Sequence, residues 1–283
     1  MPRLTVNYSA GLCELVGGGE GAPLFHGVPL FDGVEVGPWF RVEQIEEARR
    51  RLAGVPFHLH MGGLASRARW RPGALRRLGR YLACTDNEWL SFHVELLPWP
   101  HYLLGSRLGL YPPPPAAGRA AARFVRAVGR IREEVGLPVI LENLASLPAA
   151  SYHYAADPAL LGRVLDEADC GLLLDVAHAR LAALYRAQAP EEYLAALPLD
   201  RVRQVHVSGI RRRIRRRDGG GRRGWYDAHE SLQEEDYRLL AWVLARCRPE
   251  VVTLEYFRQA EPLREQLLRL RQMPALGGMP DVV

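Results

Sequence analysis

The chain has 283 residues, is 48% hydrophobic and carries a formal net charge of +5. That is enough apolar content for one large core, and no run approaches the roughly 20 apolar residues that a membrane-spanning helix needs. The positive charge is local: residues 211–223, RRRIRRRDGGGRR, carry +7 and leave −2 for the rest of the chain.

From the N-terminus, MPRLTVNYSAGLCELV breaks its apolar run at Asn7 and Ser9, unlike a secretory signal. The four cysteines, Cys13, Cys84, Cys170 and Cys247, are scattered with no CxxC. They read as free thiols of a cytoplasmic protein, and their spacing argues against thiolate zinc ligation. Short apolar runs fall at 4–8, 34–37, 56–61, 89–94, 138–143, 171–176, 202–209 and 251–256. Segments with helical spacing lie between them, at 43–52, 73–84, 117–135, 158–168, 190–196, 234–247 and 261–270. The clearest is 117–135, with Phe124, Val125, Val128, Ile131 and Val135 on one stripe. Several strands open after a helix-ending glycine, as in GVP at 54–56 and GLP at 136–138. This alternation predicts an α/β fold, a (β/α)8 TIM barrel, as one domain over 1–283. A doubly wound sheet fits less well, because the GGGEG at 17–21 lacks the strand-to-helix setting of a dinucleotide loop.

The stretch GLLLDVAH at 171–178 delivers Asp175 from the end of a buried strand, with His178 three residues on. An unpaired buried carboxylate is costly, so the pair suggests a metal; an N-cap Asp beside a surface His is the plain alternative. The other strands favour the metal. His60 (with His58 two residues before it) ends the third run, His93 the fourth, Glu142 and Asn143 the fifth, His206 the seventh and Glu255 the eighth. Asp227 and His229, in YDAHE, lie in the long segment after the seventh. In a TIM barrel these C-terminal strand ends form the active site. A nitrogen and oxygen donor set without cysteine suits zinc, manganese or iron. So many donors imply two or three ions, with Glu142 as a bridge. Glu142, Asp175 and His206 are the candidate catalytic residues, and His58 is expected to lie deeper, behind His60. Glu35 stands alone in sequence, either a ligand or a structural acid. Trp99 and Tyr102 read as loop packing.

HLHMGG, SFH, LENLAS, LLLDVAH, EEYLAALPLDRVRQVHVSGI, DAH and LEY together resemble the multinuclear non-haem iron-dependent oxidative enzymes, the family of the methanobactin-biosynthesis oxidase, within the xylose-isomerase-like barrels. The resemblance implies that His60, His93, Glu142, Asp175, His178, His206, Asp227, His229 and Glu255 hold iron. It also implies an oxygen-dependent enzyme of natural-product biosynthesis that modifies residues, often Cys, of a ribosomally made precursor peptide presented by a peptide-recognition protein. The Asp-x-x-His and Asp-x-His pairs also resemble endonuclease IV, a zinc enzyme acting on DNA. That alternative draws on the arginine-rich segment, since phosphate contacts dominate DNA affinity. A third alternative is a barrel whose metal site has no catalytic role.

Overall fold

The computed structural model describes residues 1–17, 21–25, 27–63, 72–95, 108, 115–145, 156–213 and 224–277. Eight strands close into a parallel barrel: β1 (Arg3–Asn7), β2 (Gly33–Val36), β3 (Phe57–Gly63), β4 (Leu90–His93), β5 (Val139–Glu142), β6 (Gly171–Asp175), β7 (Val202–Val207) and β8 (Val251–Leu254). Each pairs with its sequence neighbours, and β1 closes the ring between β8 and β2. Helices follow in turn: α1 (Ala10–Val16), α2 (Val42–Arg51), α3 (Pro72–Leu82), α4 (Ala117–Val135), α5 (Pro158–Ala168), α6 (Val176–Arg186), α7 (Pro190–Ala195), α8 (Glu234–Leu244) and α9 (Ala260–Gln272). None of the described helices is long and apolar enough to cross a membrane. The four cysteines are free thiols.

Each of the eight sequence runs overlaps a barrel strand, and α4 and α5 have the expected bounds. The α4 stripe is rotated toward alanine: Ala120, Ala121, Phe124, Ala127, Val128 and Ile131 are buried, while Val125 and Val135 lie at its margin. Gly136, at φ 74°, ends the helix in the left-handed conformation that glycine adopts without strain. Two helices give no clear sequence signal. α1 is one of the shortest, capped by Ser9, whose hydroxyl accepts from the Leu12 N–H. α6 buries nearly its whole first half, VAHARLAA, so it shows no polar face.

Strand alternation sorts the barrel. Leu4, Val34, Phe57, Leu90, Leu141, Leu172, Val205 and Leu254 face the helices in the main core. Inside, Trp89, Ile140, Leu173 and Val251 form a separate apolar plug near the N-terminal ends of the strands. Above the plug the inward positions turn polar: Thr5, Ser91, Gln204 and Thr253, then the histidines and carboxylates.

A difference from expectation lies after β7. Asp227 and His229 are not on a loop. Gly209–Arg213 and Gly224–Glu230 form an antiparallel hairpin that leaves the barrel and lies against α6, where Ile210 and Trp225 pack on Ala177 and Leu181. Trp99 and Tyr102, and the arginine-rich segment beyond Arg213, lie outside the described residues.

Candidate metal centre

The site is assembled by the C-terminal ends of the strands. β3 and β4 deliver His60 and His93, whose Nε2 atoms are 3.1 Å apart. Ser91 Oγ, 2.7 Å from His60 Nδ1, fixes the ring so that Nε2 points at the cluster. Glu142 ends β5 in the middle of the group. Its Oε2 lies 2.8 Å from His93 Nε2 and 3.4 Å from His60 Nε2, and its Oε1 lies 3.1 Å from His178 Nδ1. The next residue, Asn143, clamps the end of β6: Nδ2 donates to the Asp175 carbonyl and Oδ1 accepts from the Asp175 N–H.

Asp175 reconciles the two alternatives for its strand. It caps α6, accepting from the His178 N–H through Oδ1, while buried Oδ2 has no hydrogen-bond partner. His178 Nδ1 is 2.9 Å from the Asn143 carbonyl, and Nε2 is 3.6 Å from Asp227 Oδ2. His206 and Glu255, from β7 and β8, meet at 3.4 Å.

The hairpin closes one side through a bulge. Gly209 pairs with Glu230 but Ile210 with Asp227, so Ala228 and His229 are extra residues on one strand. His229 sits at φ 47°, an uncommon conformation for a residue with a Cβ. This aims its Nε2 between Asp227 (3.2 Å) and Glu255 (3.4 Å). Gly209 lies so close to the Ser231 and Glu230 carbonyls that a Cβ there would be 2.5 Å from the first.

All nine residues expected from the sequence therefore meet in one cluster. Glu35, left open by the sequence, joins them: its Oε2 is 3.1 Å from His206 Nε2. His58 lies lower, as expected; burial, with Arg3 nearby, holds its pKa below the ordinary value. Gln204 carried no signal of its own, yet it touches both Glu35 and His206. Its clue was position, two residues before His206 on the same inward face. Among the described residues, three groups have donor atoms within 4.8 Å of one another: Glu35, His60 and His206; His60, His93 and Glu142; and Glu142, Asp175 and His206.

The electrostatics show buried carboxylates and imidazoles that set one another's charge. Burial lifts Asp175 to about 7, although His178 pulls it down. Burial likewise opposes ionisation of Glu142, but His93 overrides it and holds the carboxyl well below the usual range. Burial works against charge on His93 and His229, yet Glu142 lifts the first to about 10 and Glu255 lifts the second to about 9. His60 goes the other way, kept low by burial despite Glu142.

Glu35 Oε1, Glu142 Oε2, Asp175 Oδ2 and His206 Nδ1 are buried without a hydrogen-bond partner. The close ion-pair contacts are out of hydrogen-bond alignment. Such orphans are rare in a folded interior. Inward-facing nitrogen and carboxylate donors with unused lone pairs are what hard and borderline metal ions bind, so the residues fit metal. Above them opens a cavity of about 340 Å³ with Trp39 and Phe257 on its walls.

A family model described as "RiPP precursor modification enzyme MbnB/TglH/ChrH" matches residues 39–276, and the chain belongs to that family. A UPF0276 protein of Anaeromyxobacter sp. (strain Fw109-5) is 35% identical over 141 residues, 46% of this chain and 47% of that protein. The chain spans about half the length of the curated relatives it matches first. Among solved structures, a xylose isomerase-like TIM barrel protein from Mycobacterium smegmatis in complex with magnesium superposes with a TM-score of 0.57 at 16% identity, over 98% of each chain. AP endonuclease, family 2, from Brucella melitensis gives 0.50 at 18% identity, over 95% of this chain and 98% of that one. At these identities the likeness is one of fold.

Proposed function

We propose that this family member holds two or three metal ions, iron foremost, and uses them with dioxygen as the oxidant, which takes up the electrons and is reduced, to oxidise a residue of a ribosomally made precursor peptide, with Cys the leading candidate. One observation carries the reading: Glu35, Glu142, Asp175, Asp227 and Glu255 converge with His60, His93, His178, His206 and His229, and four of their buried atoms lack partners. With the imidazoles neutral, as metal binding requires, those carboxylates call for cations. Family membership supports the peptide substrate.

Glu142 would bridge two ions, one held with His60 and His93 and the other with Asp175, His178 and His206; its contacts with His60, His93 and His178 support this. Asp227, His178 and His229 offer a further position. Bound iron supplies the one-electron redox chemistry that none of these side chains provides. The chain does the rest. Ser91 and Asn143 hold His60 and Asp175 in orientation. Glu95, 3.5 Å from His93 Nδ1, steadies that ring at the mouth. Trp39 and Phe257 wall a cavity suited in size to a side chain and its flanking backbone. A recognition protein would deliver the peptide. The test is to search the neighbouring genes for a short precursor peptide and co-express the chain with it: a mass change that depends on the chain supports the reading, and the absence of such a peptide or an unaltered one opposes it.

A zinc phosphodiesterase is the second reading. It is favoured by Asp175, His178, Asp227 and His229, which the hairpin brings into one group. Zinc rather than iron in anaerobically purified protein, with cleavage of abasic DNA, would select it.

A further inference from the structure

Beneath the cluster, every hydrogen can be assigned along one line of side chains. The Trp89 indole N–H can only donate, and the atom before it, at 3.1 Å, is an oxygen or nitrogen of the Gln204 amide. That atom must be Oε1, which turns the Gln204 amino group toward Glu35 Oε2 (2.7 Å) and Thr253 Oγ1 (2.9 Å). Thr253 then donates to Thr5 Oγ1 (2.8 Å), and Thr5 to the Val252 carbonyl (3.5 Å). An amide has two hydrogens, and both are now placed. His206 Nε2, 3.1 Å from Gln204 Nε2, can receive neither. The same Nε2 is 3.1 Å from Glu35 Oε2, an acceptor. A lone pair on Nε2 would face an acceptor on one side and a committed amino group on the other. Nε2 must carry a hydrogen and donate it to Glu35.

We infer that Trp89 and Gln204 are positioning residues that lock His206 with Nε2 protonated, so that Nδ1 is the nitrogen offered to a metal ion. Nδ1 is buried without a hydrogen-bond partner and faces Glu255 Oε1 at 3.4 Å. His206 also shares a donor cluster with Glu142 and Asp175. The ion served by this nitrogen would be held among Glu142, Asp175, His206 and Glu255, at the C-terminal ends of four consecutive strands. Glu35 Oε2 is occupied by Gln204 and His206, so Glu35 can face the cluster only through Oε1. A metal-binding imidazole whose other nitrogen donates to a carboxylate is a recurring arrangement. Here the carboxylate is itself held by an amide, whose orientation is set by an indole at the apolar floor of the barrel.

This inference rests on the metal-site reading, and zinc alone tests it. In the zinc-loaded chain with ¹⁵N-labelled histidine, the NMR signals that disappear in His206→Gln should show a protonated Nε2 and a metal-bound Nδ1. Trp89→Phe keeps an aromatic ring but removes the donor, so Gln204 is free to turn over. Its zinc affinity should fall about 10- to 100-fold, the usual consequence of losing an outer-sphere partner, and His206 should show both tautomers. Ile140→Val, in the same apolar plug as Trp89, controls for packing: its melting temperature should drop while its zinc affinity stays at the wild-type value. A protonated Nδ1 on His206 in the wild-type chain, or an unchanged zinc affinity in Trp89→Phe, overturns the inference alone. Failure of the wild-type chain to take up zinc overturns both it and the metal site.

Discussion

The lower and upper parts of the barrel interior draw on the same strands, the upper adding His178 from α6 and Asp227 and His229 from the hairpin, yet they treat polar groups in opposite ways. Below, Trp89, Gln204, Thr253 and Thr5 pass hydrogen bonds from one to the next until a backbone carbonyl ends the line. Only His58 Nε2 is left over there among the described residues. Above, five histidines and five carboxylates crowd together, and Asn7, Glu35, Glu142, Asp175 and His206 keep buried atoms without a hydrogen-bond partner. An unsatisfied buried polar group costs about 1–3 kcal/mol. A completed network supports the fold; an incomplete one of metal-binding atoms is poised for a guest. This division matches the general separation in such barrels between stability at the N-terminal face and chemistry at the C-terminal face.

The comparison breaks most visibly on metal removal. A ligand bound at 1,000 times its Kd stabilises the folded state by about 4 kcal/mol. A chelator should therefore lower the melting temperature by many degrees at pH 7. An identical melting curve with and without chelator would mean that the upper half is as self-sufficient as the lower. Next in size is Gly209→Val. The new side chain meets backbone carbonyls at the root of the hairpin, so the bulge must shift, at a cost of about 1–3 kcal/mol. Asp227 and His229 should leave the cluster with it, reducing metal content; full metal content in this variant would detach the hairpin from the site. Thr5→Val probes the lower half. It removes the last hydroxyl of the line and should cost about 1 kcal/mol while metal stoichiometry holds.

A separate effect is a difference in slope with pH. In the metal-free chain Glu142 lifts His93 to about 10 and Glu255 lifts His229 to about 9, in each case against the effect of burial. Both folded values lie above the ordinary value of about 6.5. The stability these charged imidazoles contribute is complete below about pH 6.5 and is lost as pH rises through 9 to 10. In the metal-loaded chain the same nitrogens carry no proton, so that loss is absent; acidification instead weakens metal binding. Melting temperatures of the two forms should diverge between pH 7 and 10, and parallel curves would contradict the assignment of His93 and His229 to the metal.

Much of this was legible in the sequence, for physical reasons. Buried parallel strands must be continuous apolar runs, so a His or acid at the ends of the third to eighth stood out. Helices with one wet face, such as α4, declared themselves by their stripe. α6 did not, because it is covered on one side by the barrel and on the other by Ile210 and Trp225. The hairpin was hidden because its first strand is rich in arginine and its second, GWYDAHE, lacks apolar alternation. Glu35 could not be placed because its partner His206 is 171 residues away. Gln204 and Trp89 were silent as residue types; only their inward register gives them meaning.

The central claim is that the upper half is completed by metal ions bridged through Glu142. Elemental analysis of the anaerobically purified chain, beside Glu142→Gln, tests it most directly. The wild-type chain should carry two or three ions, mostly iron, and the variant should fold but carry at least one fewer. Less than one ion per wild-type chain, or the same stoichiometry in the variant, would contradict it.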